Sequence, residues 1–314
     1  MAPPRIDART VALGLQAAGA IVVAAFAYRA VEVGARMQDS WGFWIAWQGG
    51  LYDIAWLDRY AYVYSPAFAQ AIAPLSALQW EQFWTVWLLG QLAALVLLAG
   101  PFWAALLLLV PMPFVAGYEN PVAATVINGN PQLIVALAIA AGLRWPAAWA
   151  VPILTKVTPG IGILWFAIRR EWRRLGIAVG ATAVVTLASF AVAPSLWFEW
   201  VGLLLDAAGT DALAMEPILP IPLLVRAPFA VAILVWGALT NRYWTVPVAA
   251  TLALPAIQYG GFALLVAVIP FSGLPLAPRW PRPPREPDSV PDDQPGGLVA
   301  EETTAGATGA RKPT

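Results

Sequence analysis

Apolar positions in this 314-residue chain gather into long blocks separated by short polar or proline-rich breaks. The blocks run 10–31, 65–78, 83–99, 101–116, 121–143, 146–168, 176–193, 217–239 and 244–271. Such blocks predict helices in a bilayer, whose hydrocarbon core takes about 20 residues per straight crossing. Several fall short of that length, and others are divided by Pro111, Pro113, Pro152, Pro159, Pro247 and Pro255. Broken helices persist in a membrane only where protein or a water-filled cavity satisfies the freed backbone groups. The pattern therefore predicts an all-α polytopic membrane protein with about seven to nine transmembrane or re-entrant helices, several lining a cavity.

The stretch 32–64 differs from the blocks, with Glu32, Asp39, Asp53 and Asp58 set among many Trp and Tyr. Trp41, Trp44, Ile45 and Trp47 recur at helical spacing, which predicts a helix with an aromatic face on the membrane interface. Gly49-Gly50 ends it, and residues 51–57 read as a second short amphipathic piece. We read 32–64 as the first extracytoplasmic loop.

Composition strengthens the membrane reading. Hydrophobic residues are 60% of the chain and charged residues 11%, where soluble domains run near 45–50% and ~25%. Residues 278–314 hold 11 of the 36 charges amid many Pro and Gly, a tail expected to stay disordered. That leaves 1–277 as the polytopic membrane domain, poorer still in charge. Arg5 and Arg9 favour a cytoplasmic N-terminus, with Arg29 and Arg36 counting against it. The cluster Arg169, Arg170, Arg173 and Arg174 is expected to be cytoplasmic, with Arg144 and Arg242 as lesser votes for that side. A loop carrying Glu199, Asp206, Asp211 and Glu216 is then expected outside. Arg144 and the cluster flank only one helix length, so either 146–168 is re-entrant through the break at 156–159 or Arg144 lies outside.

The absence of Cys and His excludes disulfides, thiolate or imidazole metal sites, cysteine nucleophiles and Ser-His-Asp triads. No cofactor or metal is expected, and the sparse basic residues give no nucleic-acid footprint. Catalysis would have to use carboxylates, Tyr, Lys, Arg or backbone dipoles. Lys156 stands out: the other lysine, Lys312, lies in the tail. An ammonium in an apolar segment costs ~2.5–3.5 kcal/mol and needs a partner. It either snorkels to the interface or, beside the Pro159 break, faces a cavity where it suits a phosphate or diphosphate. Asp39 is either a helix N-cap or a partly desolvated base among Trp residues, with Asp53 and Asp58 as alternative acids. Asn128-Gly129-Asn130-Pro131-Gln132 reads first as a turn, although its amides suit sugar hydroxyls. Tyr64-Ser65-Pro66 reads as a helix start.

The order of these features resembles glycosyltransferase family 87. It runs through Asp39, Phe43, Ala46, Gly50, Leu51-Tyr52, Tyr64-Ser65-Pro66 with Pro74, Gly129-Asn130 with Gln132, Lys156-Val157-Thr158-Pro159, and Arg169-Arg170-Glu171-Trp172-Arg173. The likeness extends over roughly 10–205, and Ser65-Pro66 stands where the family usually shows two prolines. The resemblance implies the C-type glycosyltransferase fold and transfer of a hexose, mannose in that family, from a polyprenyl-phosphate carrier. The acceptor would be a lipid or glycan at the extracytoplasmic face of the plasma membrane. It further implies Asp39 as general base, Lys156 and Arg59 at the donor phosphate, and Tyr52, Asn130 and Gln132 on the sugar. Asp53 is the alternative acid. The competing readings are a lipid or solute transporter, since broken helices and a buried lysine suit both, and a non-catalytic partner of an envelope enzyme.

Overall fold

The computed structural model describes residues 7–34, 38–110, 120–208 and 219–281. Arg5, Arg36, Pro111, Pro113, Glu119, Asp211, Glu216 and nearly all of the tail lie outside them. Every regular element among the described residues is helical. Three helices are long and apolar enough to cross a membrane: α1 (Ala8–Val33), α4 (Trp80–Leu109) and α9 (Trp172–Val192). A fourth span is available if the bent pair α5 (Pro121–Asn128) and α6 (Gln132–Gly142) is taken as one, and three shorter apolar helices follow the same composition. The remaining helices are α2 (Gln38–Ile45), α3 (Pro66–Ser76), α7 (Ala150–Lys156), α8 (Leu164–Ile168), α10 (Pro194–Ala208), α11 (Leu223–Leu239), α12 (Thr245–Leu252) and α13 (Ile269–Ser272). The chain is a polytopic membrane protein.

Local chemistry sets these elements. Asp7 caps α1 by accepting the Thr10 N–H at 2.6 Å. The expected helices 83–99 and 101–116 are joined in α4, which bends where Gly100 takes φ 76° before Pro101. Pro101 has no N–H to continue the ladder, so the two halves meet at an angle. Ser65 caps α3 with Pro66 in its first turn, and its hydroxyl also donates to the Leu154 carbonyl in α7. A hydroxyl at this position thus ties α3 to α7.

Several expectations change. The aromatic face of α2 turns inward: Trp41 and Trp44 pack on Trp80, with ring centroids 4.8 and 5.9 Å away, and Phe43 is buried. Residues 51–57 form turns, not a helix, because the Asp53 carboxylate accepts the Gly50 N–H at 2.8 Å and closes the chain there. Glu199 and Asp206 sit on α10 instead of in a loop. Of the arginine cluster, Arg170 and Arg173 face outward while Arg169 and Arg174 are buried against Glu171. At the start of the expected tail, Trp280 packs partly against the core.

The position of Arg144 also resolves. Arg174, at the start of α9, donates to the carbonyl of Leu143 at 3.2 Å. The ends of the 146–168 segment therefore lie side by side, and the segment goes out and returns. Its outward limb is a 3-10 turn (Pro146–Trp149) and α7; its return limb is a 3-10 helix (Thr158–Ile163) and α8. Lys156 stands at the turning point. At the other end of α9, Trp200 of α10 donates to the carbonyl of Val63, so α10 and the end of loop 32–64 share a side.

Candidate active site

Two chain breaks meet at the first turn of α2. The first separates α5 from α6, whose axes differ by 108°. α5 ends in a Schellman turn: Gly129 at φ 73° gives its N–H to Val126, and Asn130 gives its own to Thr125. Only glycine fits here. A Cβ on residue 129 would lie 2.4 Å from the Cβ of Ser40, so the break and α2 touch backbone to side chain. From this turn the Asn130 amide donates to Asp39 Oδ2 at 2.9 Å across 91 residues of sequence.

The second break follows Lys156. Val157 takes φ 54° and ψ −65°, a left-handed conformation that strains a β-branched residue by about 1–3 kcal/mol. Strain of that kind persists only where the surrounding fold imposes it. Lys156 is part-buried, and its ammonium rests over the Tyr64 ring, 5.4 Å from the centroid. Among the described residues no carboxylate lies within 4.0 Å of it, yet it is close enough to Asp39 for their charges to act on one another. Burial pushes the Asp39 carboxyl above the usual carboxylate range, and the Lys156 charge and the Asn130 hydrogen bond pull against that shift. Such an environment makes Asp39 a stronger base than a solvated aspartate, while the Lys156 charge and the Asn130 hydrogen bond favour its ionised form.

Aromatic packing fixes the remaining geometry. Phe43 of α2 makes edge-on contacts with Tyr62, Tyr64, Phe68 and Trp87, at centroid distances of 5.2–6.1 Å. Each such pair contributes about 0.5–1.5 kcal/mol beyond burial. The Tyr52 hydroxyl donates to the carbonyl of Tyr64 at 2.8 Å, which holds the ring beneath Lys156. Gln132 is buried at the start of α6. The side-chain amide oxygens of Asn130, Gln132 and Gln91 have no hydrogen-bond donor among the described residues.

The structure thus brings together Asp39, Asn130 and Lys156, with Gln132 buried two residues on from Asn130 and Tyr52 supporting through Tyr64. Arg59 and Asp53 stand outside this group. Arg59 is exposed, its guanidinium over the neighbouring Tyr60 ring at 4.9 Å. Asp53 is exposed and lines a separate cleft of about 110 Å³ with Gly42, Ile45 and Tyr60, which neither Asp39 nor Lys156 reaches. Tyr64 and Gln91 also belong to the site. Tyr64 reads as part of a helix start, and Gln91 sits inside an apolar run, where a buried amide was the available clue.

An acid and a cation brought together where two helix breaks meet α2 define an all-helical membrane protein with a paired, charged site. The model of glycosyltransferase family 87 matches residues 62–277, more than half of the chain, and the chain belongs to that family. By that membership it is a glycosyltransferase. The matched region contains Tyr64, Gln91, Asn130, Gln132 and Lys156, whereas Asp39, Tyr52, Asp53 and Arg59 precede it. No curated protein and no solved structure matches the chain.

Proposed function

We propose that this glycosyltransferase takes its sugar, mannose or another hexose, from a polyprenyl-phosphate carrier and passes it to a hydroxyl of an envelope lipid or glycan. The reaction runs at the extracytoplasmic face of the plasma membrane. The observation that carries the reading is the convergence of Asp39 and Lys156 at the two breaks. Asp39 takes the acceptor's hydroxyl proton as the acceptor oxygen bonds to the anomeric carbon from the face opposite the leaving group. The bond from that carbon to the phosphate oxygen breaks, and its electron pair leaves with polyprenyl phosphate. Lys156 offsets the charge gathering on that phosphate, as fixed cations do at developing anions. Among the described residues no second carboxylate acts on Asp39, which supports inversion, because retention calls for two carboxylates about 5 Å apart. The orphan amide oxygens of Asn130 and Gln132 accept from sugar hydroxyls.

The test uses membranes holding wild type or Asp39→Asn, given labelled polyprenyl-phosphate-mannose or a labelled nucleotide sugar with an envelope lipid extract. Transfer from the lipid-linked donor by wild type alone is the expected result. Transfer from the nucleotide sugar, or equal transfer by both proteins, would overturn the proposal.

A further inference from the structure

Gln91 lies in the middle of the apolar run of α4 and is wholly buried. A buried amide costs free energy unless it is hydrogen-bonded, so its place in this run needs a reason. Its Nε2 donates to the backbone carbonyl of Asn130. One turn earlier on the same face, Trp87 Nε1 donates to the carbonyl of Gly129 at 2.7 Å. Two successive carbonyls of the left-handed turn are therefore gripped by two donors from one rigid helix. The residue so held, Asn130, extends its side chain to Asp39.

We propose that Gln91 and Trp87 are positioning residues for the transfer reaction: α4 clamps the backbone at 129–130 so that the Asn130 amide is aimed at the Asp39 carboxylate. The inference rests on Asp39 being the base, as proposed above. The clamp fixes a donor–acceptor pair whose members are far apart in sequence and lie on short elements that both pack against α4. Loss of the clamp lets Asn130 drift, and Asp39 then loses a donor that favours its ionised form. The other groups facing Asp39 among the described residues, the Lys156 ammonium from α7 and the Tyr64 ring from the loop, stay in place. Losing the Asn130 donor therefore raises the pH at which the base ionises, and the carboxylate, no longer held in line, takes the proton more slowly.

The experiment measures kcat, donor KM and the acid limb of the pH–rate profile for wild type, Gln91→Met, Asn130→Ala and the double variant, with Asp39→Asn as reference. Transfer by wild type and loss in Asp39→Asn secure the underlying reading separately. The clamp predicts a fall in kcat of about 10- to 100-fold for Gln91→Met, a donor KM raised no further than Asn130→Ala raises it, and an acid limb moved to higher pH. It also predicts that Gln91→Met adds nothing once Asn130 is alanine, because both changes break one linkage. Should Gln91→Met fail to fold, Trp87→Phe, which withdraws the matching donor and keeps a ring, carries the same expectations. Wild-type kcat in a folded variant, or an effect of Gln91→Met that persists undiminished in the Asn130→Ala background, would overturn the proposal.

Discussion

Glu171 sits at the centre of a buried charge cluster. Its two oxygens accept from Arg169 Nε at 2.8 Å and Arg174 Nη1 at 3.2 Å, and the side chains of the three residues are 1–8% exposed. Arg169 also donates to the carbonyl of Ala238 and the side chain of Asn241, and Arg174 to the carbonyl of Leu143. The triad thus joins α6, α8, α9 and the turn after α11. Replacing Glu171 by Gln keeps the shape but removes the charge and turns an NH2 toward one guanidinium. Two buried cations are then left without a counter-charge, a loss on the order of 3–5 kcal/mol. The internal comparison is Arg29–Glu32, a shorter contact at 2.5 Å whose side chains are 71% and 49% exposed. Water and salt screen that pair, so Glu32→Gln should cost about 0–1 kcal/mol. In thermal unfolding of the detergent-solubilised protein, Glu171→Gln should lower Tm by roughly 6–20 °C, taking 2–4 °C per kcal/mol. Glu32→Gln should leave Tm within a few degrees of wild type. Equal shifts for the two variants would refute the reasoning that burial, not bond length, decides the value of these pairs.

Three further outcomes follow from the same structure. Asp39 acts as a base only when ionised, and burial raises its pKa, so the acid limb of the kcat profile should lie above the ~3.9 of a solvated aspartate, with activity rising as pH increases through it. Gly129→Ala places a Cβ against Ser40 at positive φ; transfer should fall at least 10-fold, since about 1 Å of displacement near the chemistry costs on that order or more, and a kinetic assay on the folded variant reads it. Arg226, buried in α11 without an acidic partner among the described residues, donates to the carbonyls of Ile221, Leu252 and Pro255 at 2.6–2.8 Å; Arg226→Leu should destabilise by about 2–5 kcal/mol, and Arg226→Lys, with a shorter reach, should recover only part of the lost Tm.

Local sequence carried the membrane class and the break positions, because blocks of apolar residues and helix-ending prolines are read one segment at a time. Lys156 was legible for the same reason: an ammonium in an apolar block is anomalous wherever the chain leads. What faces what was not legible. Nothing near Asn130 distinguishes a plain turn from a turn whose side chain reaches Asp39, 91 residues earlier. The RREWRR run looked like a uniform topological signal, but Glu171 draws Arg169 and Arg174 inward and leaves only Arg170 and Arg173 outside. The Trp face of loop 32–64 has the periodicity of an interfacial helix, and Trp80 at the start of α4 gives it an inward partner. Arg226 carries the same signal as Lys156, a charge inside an apolar block, but the backbone carbonyls it binds leave no mark on the sequence.

The central claim is that Asp39 performs the chemistry and Lys156 holds the donor's phosphate. Separating donor binding from turnover tests it most directly. Equilibrium binding of labelled polyprenyl-phosphate sugar and single-turnover transfer would be measured for wild type, Asp39→Asn and Lys156→Ala. The account predicts that Asp39→Asn binds donor within a few-fold of wild type while transfer falls about 10²–10⁴-fold, and that Lys156→Ala loses both binding and transfer. Transfer retained by Asp39→Asn, or donor binding untouched in a folded Lys156→Ala, would contradict it.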